Sequence, residues 1–195
     1  MKTFAISGRC IAVPPSADWR EQLAQILGAK PRRIGIWAEL GLYGALRCLV
    51  DAGEKTLPAE AQIWLGSRRG TYVATDIVLK QLREDLPMPL AFLQTQPSQL
   101  LALLAAQMDW KGHACFVAGA EPEAILRLAA AQAGEDGMLL GWLDEMDGGV
   151  SSWLRLRPCE EVTGGFQAVA AGAIFSTQIS HLRLDNTGLK VRPVA

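Results

Sequence analysis

Few residues in this chain are of types and spacings that do chemistry, and most of those stand alone. Cys10, Cys48, Cys115 and Cys159 are far apart with no CxxC pair, and only His113 and His181 accompany them. A zinc or other thiolate- or imidazole-held metal needs such ligands clustered, so no metal site and no cofactor motif is expected. His113 and Cys115 lie two positions apart, where an imidazole could in principle activate a thiol as nucleophile. On a strand, residues i and i+2 are parallel neighbours that rarely meet head-on, so Cys115 within Ala-Cys-Phe-Val reads as a packed, inert thiol.

Gly66-Ser67-Arg68-Arg69-Gly70 follows an apolar run and offers backbone amides and two guanidinium groups to an anion. It is neither a Walker motif nor GxGxxG, and a plain strand-to-helix turn is the commoner meaning. Glu121 and Glu123 follow Gly119 at the start of a helix, where free amides stabilise carboxylates. Asp144, Glu145 and Asp147 close another apolar run and read as an acidic, solvated loop. None of these forms an obvious acid/base pair.

The elements that must position these groups alternate between two periods. TFAISGRCIAVPP reads as a strand stopped by prolines, and SADWREQLAQILG as a short helix with Ser16 as its cap and Gly28 as its end. After the basic loop KPRR a longer helix runs over about residues 34–52, its Gly35, Gly41 and Gly44 implying close backbone packing. IWLGS is a buried strand, TYVATDIVLKQLRED a helix, and PSQLLALLAAQMDW a helix so apolar that it is expected to be covered all round. HACFVAG, DGMLLGWLDE, SSWLRLRP, GFQAVAAG and the tail TQISHLRLDNTGLKVRP read as extended, with Pro122 opening a helix between the first two. That order predicts an α/β fold, a mostly parallel or mixed central sheet with helices on both faces.

Composition excludes several classes. The 195 residues are 50% apolar, with 19 basic and 20 acidic side chains, which is neither disordered nor basic enough to mark a nucleic-acid or anionic-lipid binder. Residues 86–108 carry no charge, but Pro87, Pro89 and Pro97 break the run and four glutamines make it costly in hydrocarbon, so a buried loop and helix are expected rather than a membrane span. The N-terminus shows no signal peptide, and scattered free thiols point to the cytoplasm.

Read in order, these segments resemble the N-terminal half of a β-ketoacyl synthase of the thiolase superfamily. FAISGRCIAVP is similar to the family's first strand, RRIGIWAELGLYGALRCLVDAG to its early helix, IWLGSRRGT to its strand and glycine turn, and DGMLLGWLDE to its D-x-x-x-x-G-G-x-E strand. The segment PMPLAFLQTQPSQLLALLAAQMDWKG is similar to the stretch through the buried helix, and SSWLRLRPCEEVTGGFQAVAAG to the following strands. The resemblance covers about residues 3–172 and implies a ketoacyl-synthase-like N-terminal half over 1–172, an extended tail of unassigned role over 173–195, and no C-terminal half.

The same resemblance locates the family's nucleophilic cysteine, on a turn at a helix N-terminus, at a position that here holds Glu121. A carboxylate there cannot form the acyl thioester, and the family's catalytic histidines come from the other half, so no catalytic residue is assigned. What remains resembles a chain length factor, most closely the short forms found with aryl polyene and related polyketide pathways. It implies a non-catalytic partner that dimerises with an active β-ketoacyl synthase, meets acyl carrier protein only indirectly, and shapes the product tunnel. By resemblance, the strand His113, Ala114, Cys115, Phe116, Val117, Ala118 pairs with the partner's equivalent strand, and Phe92, Gln94 and Gln96 limit chain length. The alternatives are a malonyl-carrier-protein decarboxylase using Glu121, a thiol enzyme using Cys115, and an acyl-binding protein without a synthase partner.

Overall fold

The structure, a computed structural model, describes residues 2–86, 88–119, 121–160, 162, 164–169, 173–176, 178–186 and 188–194. Pro87, Ala120 and the residues 170–172 that end the expected GFQAVAAG strand lie outside the described residues.

The alternating N-terminus forms β1 (Lys2–Ala12), and α1 (Trp19–Leu27) and α2 (Ile36–Asp51) follow. Helix α1 starts two residues later than Ser16 would set it, with Asp18 at its N-cap position; Ser16 instead accepts a hydrogen bond from Gln22 Nε2 at 3.3 Å, and Gly28 ends the helix at φ 72°. Next come β2 (Gln62–Ser67), α3 (Tyr72–Arg83), α4 (Pro89–Gln94), α5 (Pro97–Gln107), β3 (Ala114–Ala118), α6 (Pro122–Gln132), β4 (Met138–Asp144) and β5 (Val150–Pro158). The chain ends in β6 (Gln167–Ala168), a 3-10 turn (Ala173–Phe175), β7 (Ile179–Asp185) and β8 (Gly188–Pro193).

All eight strands form one open sheet in the order β3-β2-β4-β5-β1-β7-β8-β6. It is mixed: β2 runs parallel to β3 and β4, and every other pairing among the described residues is antiparallel. The antiparallel part arises where β4 turns directly into β5, without a crossover helix to bring the chain back in the same direction.

The period of two in the strands sorts side chains to two cores. Ile63, Leu65, Leu139, Leu143 and Trp153 face one side and pack with α1, α2 and α5. Trp64, Met138, Leu140, Leu154 and Leu156 face the other, where Ile125, Leu126 and Ala129 of α6 cover them. Helix α2 reaches β1 because of a glycine: a Cβ on Gly8, beside an irregularity in the β1–β5 register, would lie 2.5 Å from Cys48 O and 2.7 Å from Ala52 N.

The segment read as a tail folds into this sheet. β7 pairs antiparallel with β1, and Ile174, Ile179, Leu182, Leu184, Leu189 and Val191 are buried in the α6-side core. Helix α5, expected to be covered all round, buries only Leu100 and Leu104, because α2 and the end of the sheet meet one of its sides and leave the other open. Helices α3 and α4 bury no residue at all. Among the described residues no helix is long and apolar enough to cross a membrane.

Candidate functional site: a charged cavity and an open sheet edge

Parallel strands β2 and β4 end side by side, and the turns beyond their C-terminal ends are where sheets of this kind leave room for a ligand. A cavity of about 550 Å³ lies there. Its charged wall carries Arg68, Arg69, Glu121, Asp144 and Asp147, and its apolar wall includes Val13, Trp142 and Phe175.

Each charged group is set by a short turn. Ser67, fully buried at the end of β2, accepts a hydrogen bond from the Gly70 amide at 2.7 Å, and its carbonyl takes the Gly119 amide at 3.0 Å. The Gly66–Gly70 turn therefore spends an amide on its own closure and couples the ends of β2 and β3. Gly119 turns at φ 76° and leads into Glu121, the N-cap residue of α6, whose φ of −85° and ψ of 155° are extended. The Glu121 side chain makes no cap hydrogen bond; its carboxylate instead meets Arg68 Nη2 at 2.9 Å, with both side chains more than half exposed.

The acidic loop after β4 is less solvated than its composition implies. Asp144 Oδ1 accepts the Met146 amide at 3.0 Å, and Glu145 Oε1 accepts the Val73 amide at 2.9 Å, satisfying a free donor in the first turn of α3. Burial pushes the Glu145 carboxyl up; the Val73 bond works against that and the neighbouring Asp144 charge adds to it. Asp147 turns at φ 55° into Gly148 and Gly149, and reaches the cavity. Among the described residues neither cysteine nor histidine lines this cavity, so its groups can hold polar and apolar atoms but offer no thiolate or imidazole.

The structure does not join His113 to Cys115. The His113 ring stacks at a tilt 5.7 Å from Trp64, while Cys115 is half-buried in the α6-side core with its Sγ 3.9 Å from Phe116 O. His181 lies on β7, with four strands between it and β3. Burial holds its imidazole below the ordinary value, helped by the Arg192 charge.

Ala114, Cys115, Phe116, Val117 and Ala118 form β3, which pairs with β2 on one side and is the edge of the sheet on the other; His113 immediately precedes it. Phe116 reaches Trp37 of α2 edge-on at 5.8 Å. Phe92, Gln94 and Gln96 lie apart from the charged cavity. Phe92 is 57% exposed and borders an apolar groove of about 270 Å³ with Val78, Leu82, Met88 and Pro89. Gln94 Nε2 donates to Arg33 O at 3.2 Å, and Gln96 caps α5 and donates to Thr95 Oγ1 at 2.9 Å.

Sequence reasoning missed this groove, because the apolar residues of α3 and α4 look like ordinary core and only the fold shows them uncovered. It also missed the apolar wall of the cavity, which joins residues from the ends of β1 and β4 and from the 3-10 turn.

The fold, with α2 and α5 on one face of the sheet and α6 on the other, is found in solved ketosynthase and chain length factor structures. The chain aligns with the ishigamide ketosynthase/chain length factor at a TM-score of 0.62 and 12% identity, covering 82% of this chain and 59% of that one. It aligns with a β-ketoacyl synthase from Burkholderia phymatum STM815 at a TM-score of 0.53 and 16% identity, covering 82% and 60%. A ketosynthase (ApeO) in complex with its chain length factor (ApeC) from Xenorhabdus doucetiae aligns over 85% of this chain and 78% of that one, at 15% identity and a TM-score of 0.48. No family model matches the chain, and no curated protein does. The chain thus spans less than two thirds of the length of the first two structures, and its open mixed sheet is half of a thiolase-like fold.

Proposed function

We propose that this chain is a chain-length-factor-type subunit, a non-catalytic protein that forms a heterodimer with an active β-ketoacyl-carrier-protein synthase in the cytoplasm and shapes its product tunnel. The pathways this reading fits are aryl polyene, related polyketide and fatty-acid-like synthesis. One observation carries it. Glu121 stands at the N-cap of α6, on the turn after β3; by the sequence resemblance, this is the position of the synthases' acyl-accepting cysteine. A carboxylate there cannot hold an acyl thioester, and its Arg68 partner holds it as an ion pair at the mouth of the cavity.

The partner follows from what is left uncovered. β3 offers an unpaired edge, and Leu79, Leu82, Met88, Leu90, Phe92 and Leu93 on and around α3 and α4 are each about half exposed or more. Exposed apolar side chains of this kind, with Leu82, Met88 and Phe92 lining one groove, together with an open edge, suit a permanent interface. The ishigamide protein that the chain resembles in fold is described as a ketosynthase/chain length factor, which makes a synthase the partner of choice. Acyl carrier protein would reach this chain only through that synthase. Within the complex, Phe92, Gln94 and Gln96 are the residues placed to narrow the partner's tunnel.

Co-expression tests the reading: the chain is expected to co-purify with its cognate ketosynthase in a fixed ratio and to change the product length. A chain that is stable, monomeric and indifferent to the synthase overturns it. A second reading, a malonyl-carrier-protein decarboxylase, draws on Glu121 and Arg68 at the cavity mouth; carbon dioxide released from malonyl carrier protein by the isolated chain, and lost in Glu121→Ala, would establish it instead. An acyl-binding role without a synthase would show as acyl carrier retained by the chain alone.

A further inference from the structure

The loop joining α1 to α2 carries Lys30, Arg32 and Arg33 with no acidic residue among them, and all three side chains are exposed. None of the three takes part in a salt bridge among the described residues. The loop nevertheless has a fixed shape. Gly28 and Gly35 turn at φ 72° and 82°, and Arg33 itself sits in the left-handed region at φ 61°, a conformation that costs energy for a side chain of this kind. Gln94 at the end of α4 supports it twice: its Nε2 donates to Arg33 O at 3.2 Å, and its side chain packs 3.3 Å from where a Cβ on Gly35 would stand.

That contact sets the Arg33 end of the loop against the end of α4, with Arg32 and Arg33 exposed there, while Lys30 shares a small pocket with Glu21 and Glu39. Ile36, the first residue of α2, is 52% exposed directly after the loop, and Leu93 and Phe92 precede Gln94. The arrangement is an apolar patch with a cationic rim on one side, the layout in which rim charge orients a partner and the patch holds it. We propose that the loop at 28–35 is the steering rim of the partner interface, and that the protein surface seated on Leu82, Met88 and Phe92 presents carboxylates opposite Arg32 and Arg33. This rests on the reading of the chain as a ketosynthase partner, and it adds the charge that the partner must carry there. A protein rather than a lipid surface is favoured because the cations stand on one rim only, whereas the formal charge of the whole chain is −1.

Association of the full chain with its cognate ketosynthase, followed by stopped-flow or surface plasmon resonance over a salt series, tests this. The double variant Arg32→Glu, Arg33→Glu is expected to associate at least about tenfold more slowly than the native chain in about 50 mM salt, the difference closing by about 0.5 M, with little change in dissociation. Arg33→Gly keeps the left-handed backbone while removing one charge, and is expected to show a smaller slowing in the same direction. If a complex forms and neither variant changes the low-salt rate, the steering rim is refuted while the ketosynthase partnership stands. If the native chain forms no complex, the partnership and the rim both fall. Loop-dependent binding to phosphatidylglycerol vesicles, with association to the synthase unchanged in the variants, would reassign the cations to a membrane surface.

Discussion

Glu54 and Arg155, 101 positions apart, meet in a two-pronged ion pair, Nε to Oε2 at 2.8 Å and Nη2 to Oε1 at 3.2 Å. Arg155 is only 1% exposed and also donates through Nη1 to Asp136 O at 2.8 Å and Leu156 O at 3.1 Å. Arg157 adds a second guanidinium to Glu54 from the open side. One carboxylate thus ties the loop after α2 to the far end of β5, and each of the three nitrogens of the buried guanidinium has an acceptor.

Removing that carboxylate leaves a buried cation without its counter-charge. Glu54→Gln is expected to lower the unfolding free energy by about 3 kcal/mol, measured by denaturant titration. Its pH dependence gives a second check. Burial pushes the Glu54 carboxyl up, but the hydrogen bonds and charges of Arg155 and Arg157 outweigh it and hold the group below its ordinary 4.5. A lowered folded value stabilises above the unfolded value and fades as pH falls through the folded one, so the gap in Tm between native and Glu54→Gln should narrow below about pH 4.5. Glu145, which is shifted the opposite way, is present in both proteins and drops out of the comparison.

Gly44 sits inside α2, where alanine ordinarily gains about 1 kcal/mol of helix propensity. Here a Cβ would fall inside the contact radius of the Trp153 indole, 2.6 Å from its Nε1, and of Ser151 Oγ, which is already donating to Leu40 O at 2.6 Å. Trp153 is fully buried and cannot swing away. Gly44→Ala is therefore expected to destabilise, by about 1–3 kcal/mol, and a gain in Tm would show that the α2–β5 contact yields more easily than these distances allow.

Leu82 and Phe92 are 55% and 57% exposed, so replacing them tests an interface without emptying a core. Leu82→Glu is expected to leave the Tm of the isolated chain within a few degrees, since α3 buries nothing, and to abolish co-purification with the ketosynthase. Phe92→Ala, milder, is expected to leave the complex and lengthen its products; mass spectrometry showing the native distribution would remove Phe92 from the tunnel.

The thiols sort by burial. Cys10 is pushed up to about 11 by burial, against the Arg47 charge, and Cys48 is pushed up further by burial beside it. At pH 8 about one Cys10 in a thousand is then a thiolate. Iodoacetamide followed by peptide mapping should leave both residues unlabelled in the folded protein and label both in guanidinium. Cys115→Ser should assemble and support product formation normally; normal assembly with lost turnover would revive a thiol enzyme.

Much of the fold is local enough to be legible in the residues. The period of two in SSWLRLRP and the mixture of apolar strand and helix patterns mark most elements. What local pattern cannot convey is which neighbour a residue meets. Arg155 and Arg157 alternate identically in sequence, yet one is buried and the other exposed, because Glu54 arrives from a loop a hundred residues earlier. The apolar helix α5 looks like a fully covered element because burial is a property of what surrounds it, and only one of its sides has neighbours. The strand signal of the last residues was visible, but not that β7 would find β1, since pairing partners are chosen by the sheet's other edge.

The unpaired side of β3 has a consequence for how much of this protein a cell can hold. Among the described residues β3 pairs on one side only, and an open strand edge is a template for pairing with another chain, including another copy. If the proposed synthase caps this edge, copies made beyond its supply are expected to become substrates for chaperones and proteases. Pulse-chase labelling after overproduction of the chain alone should show a short-lived or aggregating excess, and a long-lived one once the ketosynthase is raised to match.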